Sequence, residues 1–215
     1  MSNTTSIEKR SDLLGANVVK ALQRRHFEAY YCKTGSEAAA KALSLIPAEH
    51  TVSWGGSMTL KDIGLSQKIK DAGFAVLDRD TAKTPEEKAD ITRRALLCDT
   101  YLAGINAVSE DGQLVNIDGN GNRIAAISFG PKSVILVAGM NKVVKTLDDA
   151  LSRARNLAAP LNVQRFPDLQ TPCAATGSCA DCLSAQSICS YIVTTRLCKP
   201  AGRIKVILAG EPLGY

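Results

Sequence analysis

Along this chain, apolar residues recur every three to four positions in some stretches and every second position in others, and the exchange between the two periods lays out the elements. From about Ile7 to Gln23, Leu14, Val18 and Leu22 stand four apart with Lys9, Arg10 and Lys20 elsewhere, which predicts an amphipathic helix over about 7–23. His26 to Cys32 alternates as a first strand. Ser36 as a cap, the run EAAAKALSLI and Pro47 just beyond predict a second helix. A short strand, Thr51 to Trp54, leads through Gly55-Gly56 into a third helix ending near Lys70, and Gly73 precedes a strand from Phe74. In TPEEKADITRRALLCD, Thr84 stands as a cap, Pro85 in the first turn and Glu87 three residues after the cap, the signature of another helix start.

After that helix the period shortens. TYLAGINAVS, LVNID, RIAAISFG and SVILVAG are short apolar or alternating runs separated by turn residues, and each reads as a strand. Asp118-Gly119-Asn120-Gly121-Asn122 tolerates positive φ, so a hairpin is expected there. A helix is expected from Thr146 to about Leu157 and a final strand over Arg203–Gly210. Alternating strands and helices in the first hundred residues predict an α/β fold with a mostly parallel sheet covered by helices on both faces. The middle strands are expected to form an antiparallel edge. One domain over 1–215, carrying a cysteine-rich C-terminal insertion at about 171–198, is the economical organisation.

Composition narrows the functional classes. The 215 residues are 45% hydrophobic and 22% charged, which excludes a disordered or fibrous chain. No apolar run approaches the ~20 residues of a membrane span, and the N-terminus lacks a signal-peptide core, so a cytoplasmic protein is expected. The net charge of +5 is uneven: residues 1–120 carry 15 Lys/Arg against 16 Asp/Glu, and residues 121–215 carry 11 against 5. The positive charges are isolated and aromatic residues are only 5%, so no nucleic-acid groove is expected; a small anionic metabolite suits dispersed positive charge better. A basic solvated surface would give the same composition.

Two constellations could carry chemistry. In Trp54-Gly55-Gly56-Ser57-Met58-Thr59, glycines would let the backbone approach a ligand, while hydroxyls and a helix start would donate to its oxygens at the carboxyl end of a strand. A tight turn capped by Ser57 explains the same residues equally well. Asn106, Ser109 and Glu110 would stand on the rim of the same pocket, although hairpin turns demand similar composition. The other constellation is Cys173-x5-Cys179-x2-Cys182-x6-Cys189, four thiols in loop-like sequence that could hold zinc or an iron–sulfur cluster. The excess of Lys and Arg in this half would offset the negative charge of such a site. Burial of the cysteines as small hydrophobes, and a metal-free thiol–disulfide pair, are competing uses. Cys32 and Cys98 read as core residues, and Cys198 could replace Cys189 as a ligand. The two histidines, His26 and His50, have no neighbouring nucleophile motif, so no Ser–His or Cys–His hydrolase is expected.

The stretches GGSMTLKDIGL (from Gly55), GINAVSEDGQLVNIDGNGNRIAAISFGPKSVILVAGMNKVV (from Gly104), RNLAAP (from Arg155), PCAATGSCADC (from Pro172) and GRIKVILAGEPLGY (from Gly202) together resemble the lactate-utilisation (LUD) domain family, and within it a cysteine-containing branch. The resemblance implies a NagB/RpiA/CoA-transferase-like fold and a link to L-lactate oxidation alongside iron–sulfur partner proteins. It also implies that Gly55, Gly56, Ser57 and Thr59 lie at the ligand site. Ser109-Glu110-Asp111-Gly112 is similar to a Ser-Glu-Asn-Gly motif whose Glu is the nucleophile of one class of CoA-transferases, with Asp111 departing from it. Electron relay in organic-acid oxidation is therefore the leading expectation. A CoA- or acyl-transferase using Glu110, or a non-catalytic regulatory or assembly subunit, is the alternative, and self-association stays open.

Overall fold

The structure is a computed structural model that describes residues 3–215. Its elements run α1 (Asn3–Arg24), β1 (Glu28–Cys32), α2 (Gly35–Ser44), β2 (Thr51–Trp54), α3 (Met58–Asp62), α4 (Leu65–Asp71), β3 (Ala75–Leu77), α5 (Pro85–Arg94), β4 (Thr100–Gly104) and β5 (Ala107–Ser109). They continue with β6 (Leu114–Asp118), α6 (Asn122–Ser128), β7 (Ser133–Gly139), β8 (Val143–Val144), α7 (Leu147–Arg153), α8 (Ala159–Val163), α9 (Pro172–Thr176), β9 (Tyr191–Thr195) and β10 (Ile204–Ala209). Six strands form one wholly parallel sheet in the order β1-β10-β7-β4-β2-β3.

Strand periodicity builds two cores on the two faces of this sheet. Tyr101, Ala103, Val134, Leu136, Val206 and Leu208 face one way and pack with Val18 and Leu22 of α1 and Ile127 of α6. Leu102, Ile135, Val137 and Ile207, offset by one residue, face the other way onto the alanines Ala38, Ala39 and Ala42 of α2 and Leu65 and Ile69 of α4. Burial on both sides explains why β7 reads SVILVAG without a polar break in its middle.

The middle strands do not form an antiparallel edge of this sheet. They build a second sheet, β8-β5-β6-β9, in which β5–β6 and β6–β9 are antiparallel and β5–β8 parallel. Its apolar face, Ala107, Val115 and Ile117, packs on Ala150 and Ala154. The run TYLAGINAVS is thus split between the two sheets at Ile105-Asn106.

Three local expectations change. No hairpin forms at Asp118–Asn122: the Asp118 carboxylate accepts from the backbone N–H of Arg123 (2.9 Å) and of Ile124 (3.1 Å), satisfying the free donors that start a helix, so the apolar run after it coils as α6. The single helix expected up to Lys70 is broken at Gly64, whose φ of 63° lies in the left-handed region. The helix from Thr146 begins where expected, with a capping box between Thr146 and Asp149, but continues past Leu157 through a π-helical turn, Ala154–Ala158, into α8. Pro160 lacks the N–H that would bond the carbonyl one turn back, which accounts for the wider turn there.

Candidate functional site

All strands of the large sheet point the same way, so their carboxyl ends share one edge. Four adjacent strands deliver residues to one polar cavity there: Gly56 and Ser57 follow β2, Gly104 ends β4 and Asn106 follows it, Lys142 follows β7 and Tyr215 follows β10. Its volume is about 60 Å³, and Arg123, Asn162 and Arg165 complete its wall. This is the edge where open α/β sheets seat ligands.

The cavity is built around positive charge. Arg123, partly exposed on α6, donates through Nη1 to the Gly104 carbonyl and Asn116 Oδ1, both at 2.9 Å, and through Nη2 to Asn106 Oδ1 (3.0 Å) and the Ile117 carbonyl (2.5 Å). All four acceptors are neutral. Lys142, 4% exposed, donates to Thr59 Oγ1 at 2.8 Å, and Thr59 in turn donates to the Leu213 carbonyl. Burial, reinforced by the charges of Arg153 and Arg123 and opposed by Asp62, pulls the Lys142 amine down to about 7. Among the described residues, no carboxylate lies within ion-pair distance of either Lys142 or Arg123.

The glycines are required by this packing. A Cβ on Gly55 would stand 2.9 Å from the Tyr101 hydroxyl and 3.1 Å from Arg123 Cδ, and one on Gly104 would stand 2.6 Å from Ser57 Oγ. Ser57 is also the cap of α3, accepting from Leu60 N at 3.3 Å, so the turn and pocket roles coincide in one residue. The helix is only five residues long, so its dipole adds little, and the positive field comes from side chains. Gly55 faces a larger cleft that shares Gly56, Ser57 and Arg165 with the cavity.

Gly56, Ser57 and Asn106 therefore line one cavity, with Thr59 touching its lysine, whereas Ser109 and Glu110 lie outside it. Ser109 is wholly buried, holding the β5–β6 turn through Asp111 and Gln113. Glu110 is ion-paired to Lys145 at 2.6 Å. Lys142, Arg123 and Arg165 were not singled out by sequence reasoning. Lys142 carried a usable signal, standing three residues beyond the most apolar strand of the chain.

A second pocket, also about 60 Å³, is lined by Cys173, Cys179, Cys182 and Cys189 together. All four are half-buried thiols. Burial first, then the proximity of the other three cysteines, pushes the Cys189 thiol up to about 11. Thr171 Oγ1 lies 3.3 Å from Cys173 Sγ, and Arg155, ion-paired to Asp181, stands at the rim. Cys198 is elsewhere, 1% exposed in the core, its sulfur accepting from Ile204 N. Cys98 is buried, whereas Cys32 is only partly so. The thiols surround a space and do not close on a point: among the described residues, no group of three or more His, Cys, Asp or Glu side chains is arranged to hold a metal ion. The two pockets are back to back across the π turn and α8, with Arg155, Ala159 and Pro160 facing the thiols and Ala158 and Asn162 facing the polar cavity.

Comparison with known families places this geometry. The LUD domain family model matches residues 16–209. The chain belongs to the LUD domain family. This LUD domain shares a family linked in general to lactate utilisation. It is similar in fold to a DUF162 family protein from Deinococcus radiodurans, with a TM-score of 0.52 and 13% identity over 93% of this chain and 98% of that one. It also aligns in part with eIF2B delta from Chaetomium thermophilum (TM-score 0.35, 17% identity, 56% of this chain and 54% of that one). A third partial match is ribose 5-phosphate isomerase from Plasmodium falciparum (TM-score 0.33, 13% identity, 52% of each). No curated protein sequence matches it. No described helix of this LUD domain is long and apolar enough to cross a membrane.

Proposed function

We propose that this LUD-domain protein binds a small organic acid of the lactate or pyruvate type in the polar cavity and carries a thiolate-held iron–sulfur cluster in the adjoining cysteine pocket, serving organic-acid oxidation as an electron relay to iron–sulfur partner proteins. The observation that carries the reading is the cavity's unpaired positive charge: Lys142 and Arg123 bond only neutral acceptors at the carboxyl edge of the sheet. An anion entering there would meet cations whose partners do not compete for it. Size agrees, because a water-sized group occupies about 10–15 Å³ on this measure, so about 60 Å³ holds four to six such groups. Lactate and pyruvate are of that size.

For the cysteine pocket, Cys173, Cys179, Cys182 and Cys189 would hold the group. A lone zinc ion draws four sulfurs to ~2.3 Å from one point, whereas a cluster spreads its irons and accepts thiolates from around a wider space. Four thiols around one pocket are the donor set that either group needs; of the two, only the cluster carries electrons, which is what the relay requires. When bound, it would supply one-electron chemistry, and the chain would supply the thiolates, with Arg155, ion-paired to Asp181, at the rim.

Anaerobic purification with iron, sulfide and zinc analysis, combined with calorimetric titration of lactate and pyruvate, tests both parts. Iron and sulfide in equal amounts with broad visible absorption, and carboxylate binding weakened in Arg123→Met, are expected. Colourless protein holding one zinc per chain overturns the relay, and absence of carboxylate binding overturns the anion site.

A further inference from the structure

Lys142 is more than a counter-charge. Its amine is fixed by Thr59 Oγ1 at 2.8 Å, at the end of the central strand β7, and it faces the cavity without an acidic partner. A lysine needed only to attract anions would serve better exposed and fully charged. Here the chain buries the amine to 4% exposure, and Arg123 from α6 and Arg153 from α7 repel its proton while only Asp62 from α3 favours it. Arg165, exposed on the cavity wall, is a cation available for a carboxylate, donating among the described contacts only to Asn162 Oδ1. A buried amine that gives up its proton more readily than a free lysine, beside an exposed cation able to take a carboxylate, is the arrangement of a carbonyl-directed nucleophile.

We propose that Lys142 forms an imine with a 2-oxo acid seated in this cavity, an inference that rests on the organic-acid reading above. The Nζ lone pair forms a C–N bond to the carbonyl carbon while the carbonyl π pair moves to oxygen, which takes up one of the two protons of the amine. The resulting carbinolamine loses that oxygen as water, which carries off the second amine proton, as the nitrogen pair closes the C=N bond. One water is released and nothing is oxidised or reduced. A 2-hydroxy acid has no carbonyl and binds without reacting, so the pocket distinguishes the two oxidation levels of one carbon skeleton by covalent capture.

The test is reductive trapping. Protein is incubated with pyruvate, glyoxylate or lactate, treated with sodium borohydride, digested and mapped by mass spectrometry, while binding of pyruvate and lactate is measured separately by calorimetry. The expected result is a reduced adduct on Lys142 with the oxo acids, none with lactate and none in Lys142→Met. Pyruvate binding without an adduct, or adducts spread over surface lysines and unchanged in the variant, overturns the imine and leaves the organic-acid site standing. Failure of both acids to bind overturns both. Mapping the wild-type protein decides the matter even if the variant does not fold.

Discussion

Replacing Lys142 by Met should make the protein more stable, and more so in acid. Folding pulls the amine from its ordinary 10.5 down to about 7, and at about 1.4 kcal/mol per pH unit that gap amounts to about 5 kcal/mol of unfavourable burial when the group must be charged. The sign follows from linkage: between the two values the unfolded chain binds the extra proton, so wild-type stability rises with pH across this window, and the penalty is complete below about pH 7. Methionine removes the charge at similar length but also removes the donor to Thr59, a loss of about 1 kcal/mol. Some further loss comes from imperfect packing. The expected outcome is a variant about 3 kcal/mol more stable than wild type at pH 6, the advantage falling by about 3 kcal/mol by pH 9. Urea unfolding at the two pH values, with both proteins in the same cofactor state, measures it. A variant less stable at pH 6, or a difference that does not change with pH, would refute the claim that this lysine is held against its own ionisation. A site residue that costs stability when its ligand is absent is what a stability–function trade-off predicts.

Cysteine substitutions should separate into two kinds. Cys189→Ser should lose the metal measured by elemental analysis with little change in the apo fold, whereas Cys198→Ser should keep the metal and lose about 1–2 kcal/mol in denaturant, because its sulfur is buried in the core. Gly104→Ala places a Cβ 2.6 Å from Ser57 Oγ; displacing that hydroxyl from the cavity wall should weaken carboxylate binding about tenfold in calorimetry, equivalent to about 1.4 kcal/mol. Thr146→Ala removes the capping box at the start of α7 and should cost about 1 kcal/mol in thermal or urea unfolding, without altering binding.

The parallel sheet was legible because buried strands leave continuous apolar runs, and SVILVAG could only be central. The segment after Asp118 was misread because glycine and asparagine satisfy a hairpin turn and a helix entry alike; what decides is where the Asp118 carboxylate bonds, a matter of geometry and not of composition. The glycine loop and Asn106 were visible as the rim of a cavity because they stand at strand ends. Ser109 and Glu110 looked similar in sequence, but Ser109 ends β5 and Glu110 follows it, and β5 belongs to the other sheet. Arg123 and Lys142 escaped notice because isolated basic residues carry no motif, and only folding shows that their partners are neutral. The grouping of Cys173, Cys179, Cys182 and Cys189 followed from spacing, but the removal of Cys198 from that group required its burial to be seen.

Two residues after the last of the pocket cysteines, the chain enters β9, which pairs residue for residue with β6 from Tyr191 opposite Asp118 to Thr195 opposite Leu114. Asp118 then holds the start of α6, whose Arg123 forms the wall of the other pocket. β9 lies at the border of its sheet with few buried side chains, so its amide protons depend on the ladder alone to resist exchange with solvent. That makes β9 a built-in gauge: slower deuterium uptake there would register occupancy of the thiols on one side, and faster uptake would register their release, in a strand whose Ile192 lines the cysteine pocket and pairs with Ile117 of the polar cavity.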